Sequence, residues 1–220
     1  STLAKMLNPN IQVIGVEPAN AACMKASLKA GKVVSLPSAV TIADGTAVKT
    51  PGDIVFPYIQ KNLDDIITVE DEELIVNFLD VVENHKMVVE NSGLLTVAAL
   101  KHLNCKDKRV VSILSGGNMD IITMSSVVQH GLIERGRVFT VSVQLPDRPG
   151  ELVNVANVIA QLKGNVIRLE HNQFVSINRN AAVELKITLE AFGHEHKQQI
   201  VDALKEKGYD PKLENPTSLY

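Results

Sequence analysis

Two hydrophobic rhythms share this chain of 220 residues, and the change from one to the other limits its architecture more than any other feature. Before about residue 136, short and nearly unbroken apolar runs (Ile11 to Val16, Ile66 to Val69, Arg109 to Leu114) alternate with stretches of helical period. A run that is apolar on both faces is satisfied only in a strand covered on both sides, which predicts an open parallel sheet flanked by helices. Ala19 to Ala30 reads as a helix stopped by Gly31. A further helix to about Asn62 carries Pro57, which should kink or split it. Thr68-Val69-Glu70-Asp71 offers capping-box side chains to a helix whose core face is Ile75, Phe78, Leu79 and Val82. Ser92 to about Leu103 is another helix, and Gly116-Gly117-Asn118 turns into one that runs to about His130. Leu3, Ala4, Met6 and Leu7 repeat at helical spacing and read as the last turns of a helix that begins before Ser1.

From Arg137 the period becomes two. Phe139, Val141, Val143 and Leu145 alternate with Thr140, Ser142 and Gln144, as in a sheet with one wet face. A helix over Leu152 to Leu162, ended by Gly164, precedes a strand from Asn165 to Phe174 and a turn at Asn178-Arg179-Asn180. Val183, Leu185, Ile187 and Leu189 then alternate with Glu184, Lys186, Thr188 and Glu190. A last helix carries Ile200, Ala203 and Leu204, and a short strand lies around Lys212 to Glu214. The order βαββαβ is a ferredoxin-like α+β unit. Two domains are expected, 1–136 and 137–220.

Composition narrows the partners. Lys plus Arg number 22 against 25 Asp plus Glu, a net charge of -3 that argues against a nucleic-acid partner. No window approaches the roughly 20 consecutive apolar residues of a membrane span, and no signal-like segment opens the chain. The only cysteines are Cys23 and Cys105, far apart and outside any metal-finger spacing, so they read as small hydrophobes in a reducing, cytoplasmic compartment. His194 and His196, two apart on a helix, read as solvated rather than as a ligand pair.

Ser115-Gly116-Gly117-Asn118 lies where a buried strand gives way to a helix, the place where open α/β sheets collect ligands. The segment reads equally as a tight connection with Asn118 as N-cap. It matches neither GxGxxG nor a P-loop, so a doubly wound nucleotide binder is the weakest alternative.

The wording of five segments is more specific. Val13-Ile14-Gly15-Val16-Glu17-Pro18-Ala19-Asn20-Ala21, Thr41-Ile42-Ala43-Asp44-Gly45-Thr46-Ala47-Val48-Lys49, Leu63-Asp64-Asp65-Ile66-Ile67-Thr68-Val69, Val89-Glu90-Asn91-Ser92-Gly93 and Leu114-Ser115-Gly116-Gly117-Asn118 occur in this order. Together they resemble the C-terminal half of the threonine dehydratases. These are fold-type II pyridoxal-phosphate enzymes of the tryptophan-synthase β-chain class, which also includes serine racemase. Residues 137–220, with Asp147-Arg148-Pro149-Gly150, resemble a single ACT domain, a regulatory module of amino-acid enzymes.

The resemblance implies a Ser115 hydroxyl on the pyridine nitrogen of the cofactor, Gly116, Gly117 and Asn118 around the ring, and Glu90 facing the same pocket. A hydroxyl makes the ring a milder electron sink than a carboxylate would, which suits loss of a β-hydroxyl. The reaction implied for the whole enzyme is threonine to 2-oxobutanoate and ammonia, as in isoleucine biosynthesis. The Schiff-base lysine, the substrate-carboxylate loop and the tetraglycine phosphate loop belong to the other half of such enzymes, and no GGGG occurs in this chain. The chain alone is therefore expected to be inactive, and the alternative is an ACT-type small-molecule-binding and assembly module without catalysis. Some relatives bind a divalent cation at positions matching Glu17, the Ala21 carbonyl and Cys23, where a thiol replaces the usual carboxylate and makes the metal doubtful. In the ACT portion, Asp147, Gly150 and Asn165 match effector-binding positions, although a histidine that some relatives carry is Leu145 here. The effector classes implied are isoleucine, valine or a nucleotide such as ADP, in a homo-oligomer.

Overall fold

The computed structural model describes residues 1–172 and 183–214, in two compact units, Ser1–Val128 and Gln129–Tyr220. The expected turn at Asn178-Arg179-Asn180 and the end of the strand expected to reach Phe174 lie outside the described residues.

The first unit is built on one parallel pair. Strand β1 (Ile14–Pro18) runs beside β2 (Asp65–Val69) with Ile14 opposite Asp65 and Pro18 opposite Val69. Helices α1 (Thr2–Leu7), α2 (Cys23–Ala30), α3 (Phe56–Asn62), α4 (Asp71–Asp80) and α5 (Asn91–Ala98) accompany it, and α6 (Ile121–Glu134) leads into the second unit. Lys5 ties α1 to the β2 approach through an ion pair with Asp64, which also accepts the Val13 amide at 2.6 Å. Leu74, Phe78 and Leu79 of α4 meet Leu94, Leu95 and Ala98 of α5 in a core with almost no solvent exposure.

Several expectations are corrected here. The helix after Pro18 is interrupted: a 3-10 turn over Ala19–Ala21 precedes α2, although Gly31 does end it in the left-handed conformation at φ 68°. Pro57 neither kinks nor splits α3, because it lies in the first turn, where a missing N–H costs nothing. The capping box of α4 belongs to Glu70 and Glu73, not to Thr68, with the Glu70 amide donating to Glu73 Oε2 at 2.8 Å. The buried face of that helix is Leu74, Phe78 and Leu79; Ile75 and Val82 are only half-buried. A π-turn over Val81–His85 closes it.

The largest departure is Arg109 to Leu114, expected as a third buried strand. It forms no ladder, and Val111 is 87% exposed. An apolar run becomes a strand only where a sheet edge comes within about 4.8 Å. Here an open groove of about 690 Å³ is lined both by β1 residues Ile14 and Val16 and by Lys108 to Ser112. The run is instead tied to α5 by two side-chain bonds, Ser112 Oγ to the Thr96 carbonyl at 3.2 Å and Thr96 Oγ1 to the Ile113 carbonyl at 3.0 Å.

The second unit has strands β3 (Val138–Leu145), β4 (Asn165–Asn172), β5 (Val183–Glu190) and β6 (Lys212–Glu214), with helices α7 (Glu151–Gln161) and α8 (His194–Glu206). The βαββαβ order is present, in an antiparallel sheet β4-β5-β3-β6. Phe139, Val141, Val143, Leu145, Leu185, Ile187 and Leu189 pack with Val155, Ile159, Ile200 and Leu204. Gly164 serves packing rather than helix termination. Lys163 takes the left-handed turn at φ 64°, while a Cβ on Gly164 would come within 2.8 Å of Ile159 and 3.0 Å of Ile200.

The other face of this sheet is drier than its alternation suggests. Thr140, Ser142 and Thr188 are buried, and the Thr140 and Thr188 hydroxyls pair at 2.9 Å, which satisfies groups that burial would otherwise penalise. His196 is also buried rather than solvated. Its Nδ1 accepts the Phe192 amide at 3.0 Å, its Nε2 lies 2.7 Å from the Leu162 carbonyl, and its ring stacks on Phe192. His194 contacts the Glu134 carbonyl at 2.9 Å. No helix among the described residues is long and apolar enough to cross a membrane.

Candidate functional site

The Ser115 loop sits on the first turn of α5. The Glu90 amide, just before that helix, donates to the Gly116 carbonyl at 3.3 Å, and Glu90 Oε2 accepts the Asn118 amide at 3.3 Å. Gly116 has φ +82°, and a Cβ there would fall 2.2 Å from the Glu90 carboxylate carbon. Gly93 is tighter still: a Cβ would lie 1.9 Å from the Ser115 carbonyl oxygen. Glycine in a helix interior costs about 1 kcal/mol relative to alanine, so its presence at residue 93 marks a close approach. In the sequence, a glycine two residues into a helical stretch is the signal of that approach.

Four of the expected site residues, Glu90, Gly116, Asn118 and Ser115, thus meet in one place. Asn118 is not the helix N-cap. Asp120 takes that role, with Oδ1 accepting the Ile122 and Thr123 amides at 2.9 Å; the Thr123 hydroxyl first, then these amides, hold its carboxyl below the usual range. Gly117 faces open space, the nearest atom to a Cβ there being the Val88 carbonyl oxygen at 3.9 Å. Ser115 is exposed, and its hydroxyl has no hydrogen-bond partner among the described residues.

Glu17, which the resemblance makes a doubtful cation ligand, accepts two backbone amides of α2. Its Oε1 accepts the Met24 amide at 2.8 Å and its Oε2 the Lys25 amide at 2.9 Å. The residue at the N-cap of α2 is Ala22, which has no side-chain acceptor, so Glu17 caps that helix from a distance and places its charge at the positive end. Cys23 Sγ lies 3.9 Å from Glu17 Oε1, and burial, then the neighbouring carboxylate, push its thiol pKa up. No group of three or more His, Cys, Asp or Glu suited to a metal occurs among the described residues. Both Glu17 oxygens thus serve the first turn of α2.

In the second unit, Gly150 opens α7 at φ 97°, and Asp147 is exposed on the preceding turn. Asn165 is not beside them. It pairs with Glu190, which pairs with Val138, so it lies at the opposite end of the sheet from Leu145. Seven strand steps of roughly 3.3 Å put these positions about 23 Å apart within one copy. The Asn165 amide group instead donates to Glu190 Oε2 at 3.2 Å.

The Ser115 loop thus combines an exposed hydroxyl without a partner among the described residues with a backbone held by Glu90. Residues 1–116 match the family described as pyridoxal-phosphate dependent enzyme, and the chain belongs to that family. More particularly, it is 37% identical over 211 residues to the L-threonine ammonia-lyase of Geobacter sulfurreducens, covering 95% of this chain and 52% of that protein. It is 34% identical over 214 residues to the L-threonine ammonia-lyase of Thermotoga maritima, covering 97% and 53%. The solved structure of the processed form of threonine deaminase isoform 2 from Solanum lycopersicum superposes with a TM-score of 0.54 at 32% identity, over 59% of this chain and 39% of that one. The chain spans about half the length of the two ammonia-lyases it matches.

Pyridoxal phosphate is the cofactor of this family, and the loop fits its ring-nitrogen side. The hydroxyl is exposed and the space beside Gly117 is open.

Proposed function

We propose that this chain is the C-terminal part of an allosterically regulated threonine dehydratase, which eliminates water from L-threonine and yields 2-oxobutanoate and ammonia. Its support is the seating of the Ser115 loop on α5, taken with relatives that are L-threonine ammonia-lyases. Bound pyridoxal phosphate supplies the electron sink for the elimination. Ser115 would hold the ring nitrogen through a neutral hydrogen bond, Gly117 would let the ring approach the backbone, and Glu90, packed against Gly116, fixes the loop. Because the chain carries neither a tetraglycine loop nor the matching lysine segment, it has no dehydratase activity alone; its two free cysteines favour a reducing, cytoplasmic setting.

Ser115→Ala, made in the full-length enzyme, tests the reading. Losing a neutral hydrogen bond worth about 0.5–1.5 kcal/mol should weaken pyridoxal-phosphate affinity by roughly 2- to 12-fold while the fold survives. Unchanged affinity and turnover would reduce Ser115 to a turn residue. Threonine turnover by the 220-residue chain itself would overturn the predicted inactivity.

Residues 137–220 are read as an ACT domain that binds a small amino acid or nucleotide between two copies. β4 is an exposed edge strand that carries Val166, Ile167 and Leu169, all about 40% exposed. Antiparallel pairing with β4 of a second copy would bring the start of one β4 beside the end of the other. Asn165 of one copy would then lie at the same end of the joined sheet as Asp147 and Gly150 of its partner, about three strand spacings of 4.8 Å from the end of β3, and an effector would bridge the two copies there.

A further inference from the structure

We propose that Asp71, Thr41 and Asn91 form a clamp that positions the Ser115 loop, a role that rests on reading that loop as the ring-nitrogen side of the cofactor site. The clamp begins at α4. Asp71 occupies the first helical position, where an acidic side chain ordinarily serves its own helix, but the Glu70 and Glu73 capping box already does that work. Asp71 instead turns both oxygens outward: Oδ1 accepts the Thr41 hydroxyl at 2.5 Å and Oδ2 the Ile42 amide at 3.0 Å. Thr41 Oγ1 in turn accepts the Ala43 amide at 3.1 Å, so the Thr41 to Ala43 turn is held by one carboxylate on a different element.

Asn91 carries the constraint onward. Its Nδ2 donates to the Ile42 carbonyl at 3.0 Å, while its Oδ1 is buried with no partner among the described residues. Burying an unpaired acceptor is costly, so a side chain kept only for packing would be apolar here. The amide is explained by what its other end does, which is to pin the first turn of α5 to the Ile42 carbonyl.

The next residue back is Glu90, whose backbone and carboxylate grip Gly116 and Asn118. The same turn also approaches that grip from the side: a Cβ on Gly45 would lie 3.0 Å from Ser92 Oγ and 3.7 Å from Glu90 Oε1. A chain of hydrogen bonds therefore runs from α4, through the 41–46 turn and the start of α5, to the loop that presents the Ser115 hydroxyl. None of the three residues touches the proposed ring site, so each acts by position.

The test uses the 220-residue chain without cofactor. Thr41→Val keeps the shape and deletes the hydroxyl, Thr41→Ser keeps the hydroxyl, and Asp71→Asn removes the charge; amide exchange is followed by NMR. In Thr41→Val and Asp71→Asn, the Asn91 side-chain amide and the Glu90 and Asn118 backbone amides should exchange about 3- to 10-fold faster, the loss of one net hydrogen bond. Phe78 and Leu79 in α4 should keep their rates, and Thr41→Ser should match the parent. Faster exchange at Asn91 with none at Glu90 and Asn118 overturns the proposal, as does an equal acceleration through α4, which would mark a general loss of stability. The cofactor reading is tested separately by titrating full-length Ser115→Ala with pyridoxal phosphate; it can fail there while the clamp stands, and the clamp can fail here while that reading stands.

Discussion

Gly93→Ala separates the seating of the Ser115 loop from the stability of the helix that seats it. The added methyl would lie 1.9 Å from the Ser115 carbonyl oxygen, 3.0 Å from its carbonyl carbon and 2.7 Å from Val89 Cγ1. A relaxed contact needs about 3.3 Å or more, so the loop or α5 must move by more than about 1 Å. Overpacking of this kind costs about 1–3 kcal/mol, and the better helix propensity of alanine returns about 1 kcal/mol, which leaves a net loss of roughly 0–2 kcal/mol. The exposed loop can yield, which places the outcome near the lower end, a fall of a few degrees in Tm. The local effect is much larger than the global one. Displacing a positioning group by about 1 Å costs about 10²-fold in a reaction that depends on it.

The same substitution in the full-length enzyme should therefore cut kcat/KM for threonine by about two orders of magnitude, although the protein remains folded. In the 220-residue chain it should shift the NMR amide resonances of Ser115 to Asn118 more than those of α4. Gly52→Ala is the control, since its Cβ would meet Val55 at an ordinary 3.4 Å and should change stability by less than about 0.5 kcal/mol. Parent-like turnover in Gly93→Ala, with undisturbed Ser115 resonances, would refute the claim that this glycine sets the loop.

Burial pushes the Glu73 carboxyl up, but Lys101, the Glu70 amide and His102 outweigh it and hold its pKa below the ordinary value. The stabilisation is thus present above the usual carboxylate range and lost as pH falls through the lowered value, so urea midpoints of Glu73→Gln and parent should differ at neutral pH and converge in acid. Cys23 is buried with a raised thiol pKa, so a thiol reagent at neutral pH should label the half-exposed Cys105 first; mass spectrometry of partly labelled chain shows the order, and Cys23 reacting first would contradict the packing of α2. Leu169→Lys on the β4 edge should shift residues 137–220, in the full chain, from dimer toward monomer in sedimentation; unchanged association would place the interface elsewhere.

Legibility in the sequence followed the range of the interaction that fixes each element. The second unit was readable almost strand by strand, because the alternation in Phe139 to Leu145 and Val183 to Glu190 reports a face directly. What failed there was non-local: Thr140, Ser142 and Thr188 look like solvent residues by period, and their burial depends on cross-strand partners that no local window contains. The capping box of α4 was displaced by two residues because Glu can cap as well as Thr when its partner at the third helical position is another Glu. Glu17 shows the limit most plainly. Nothing in its segment shows that it caps a helix whose own N-cap residue, Ala22, has no side-chain acceptor, because that requires knowing how the chain turns between them.

The candidate site divides along the same line. Its loop residues, Ser115 to Asn118, are contiguous and bear the glycine signature of a turn, so they could be singled out before any fold was known. The residues that hold them, Glu90, Gly93, Asn91 and Asp71, come from two other helices, and their role exists only once those helices converge on the loop. The run Arg109 to Leu114 joins both halves of this account. Its apolar content is real, yet with a groove between it and β1 it makes no ladder, and Thr96 and Ser112 hold it to α5 instead. The same attachment fixes the strand-like run just before Ser115 to the helix that seats Ser115. The loop is thereby located twice on one element, by Glu90 and Gly93 at the start of α5 and by Thr96 one turn later, which is how an exposed glycine turn can hold Ser115 in a defined place.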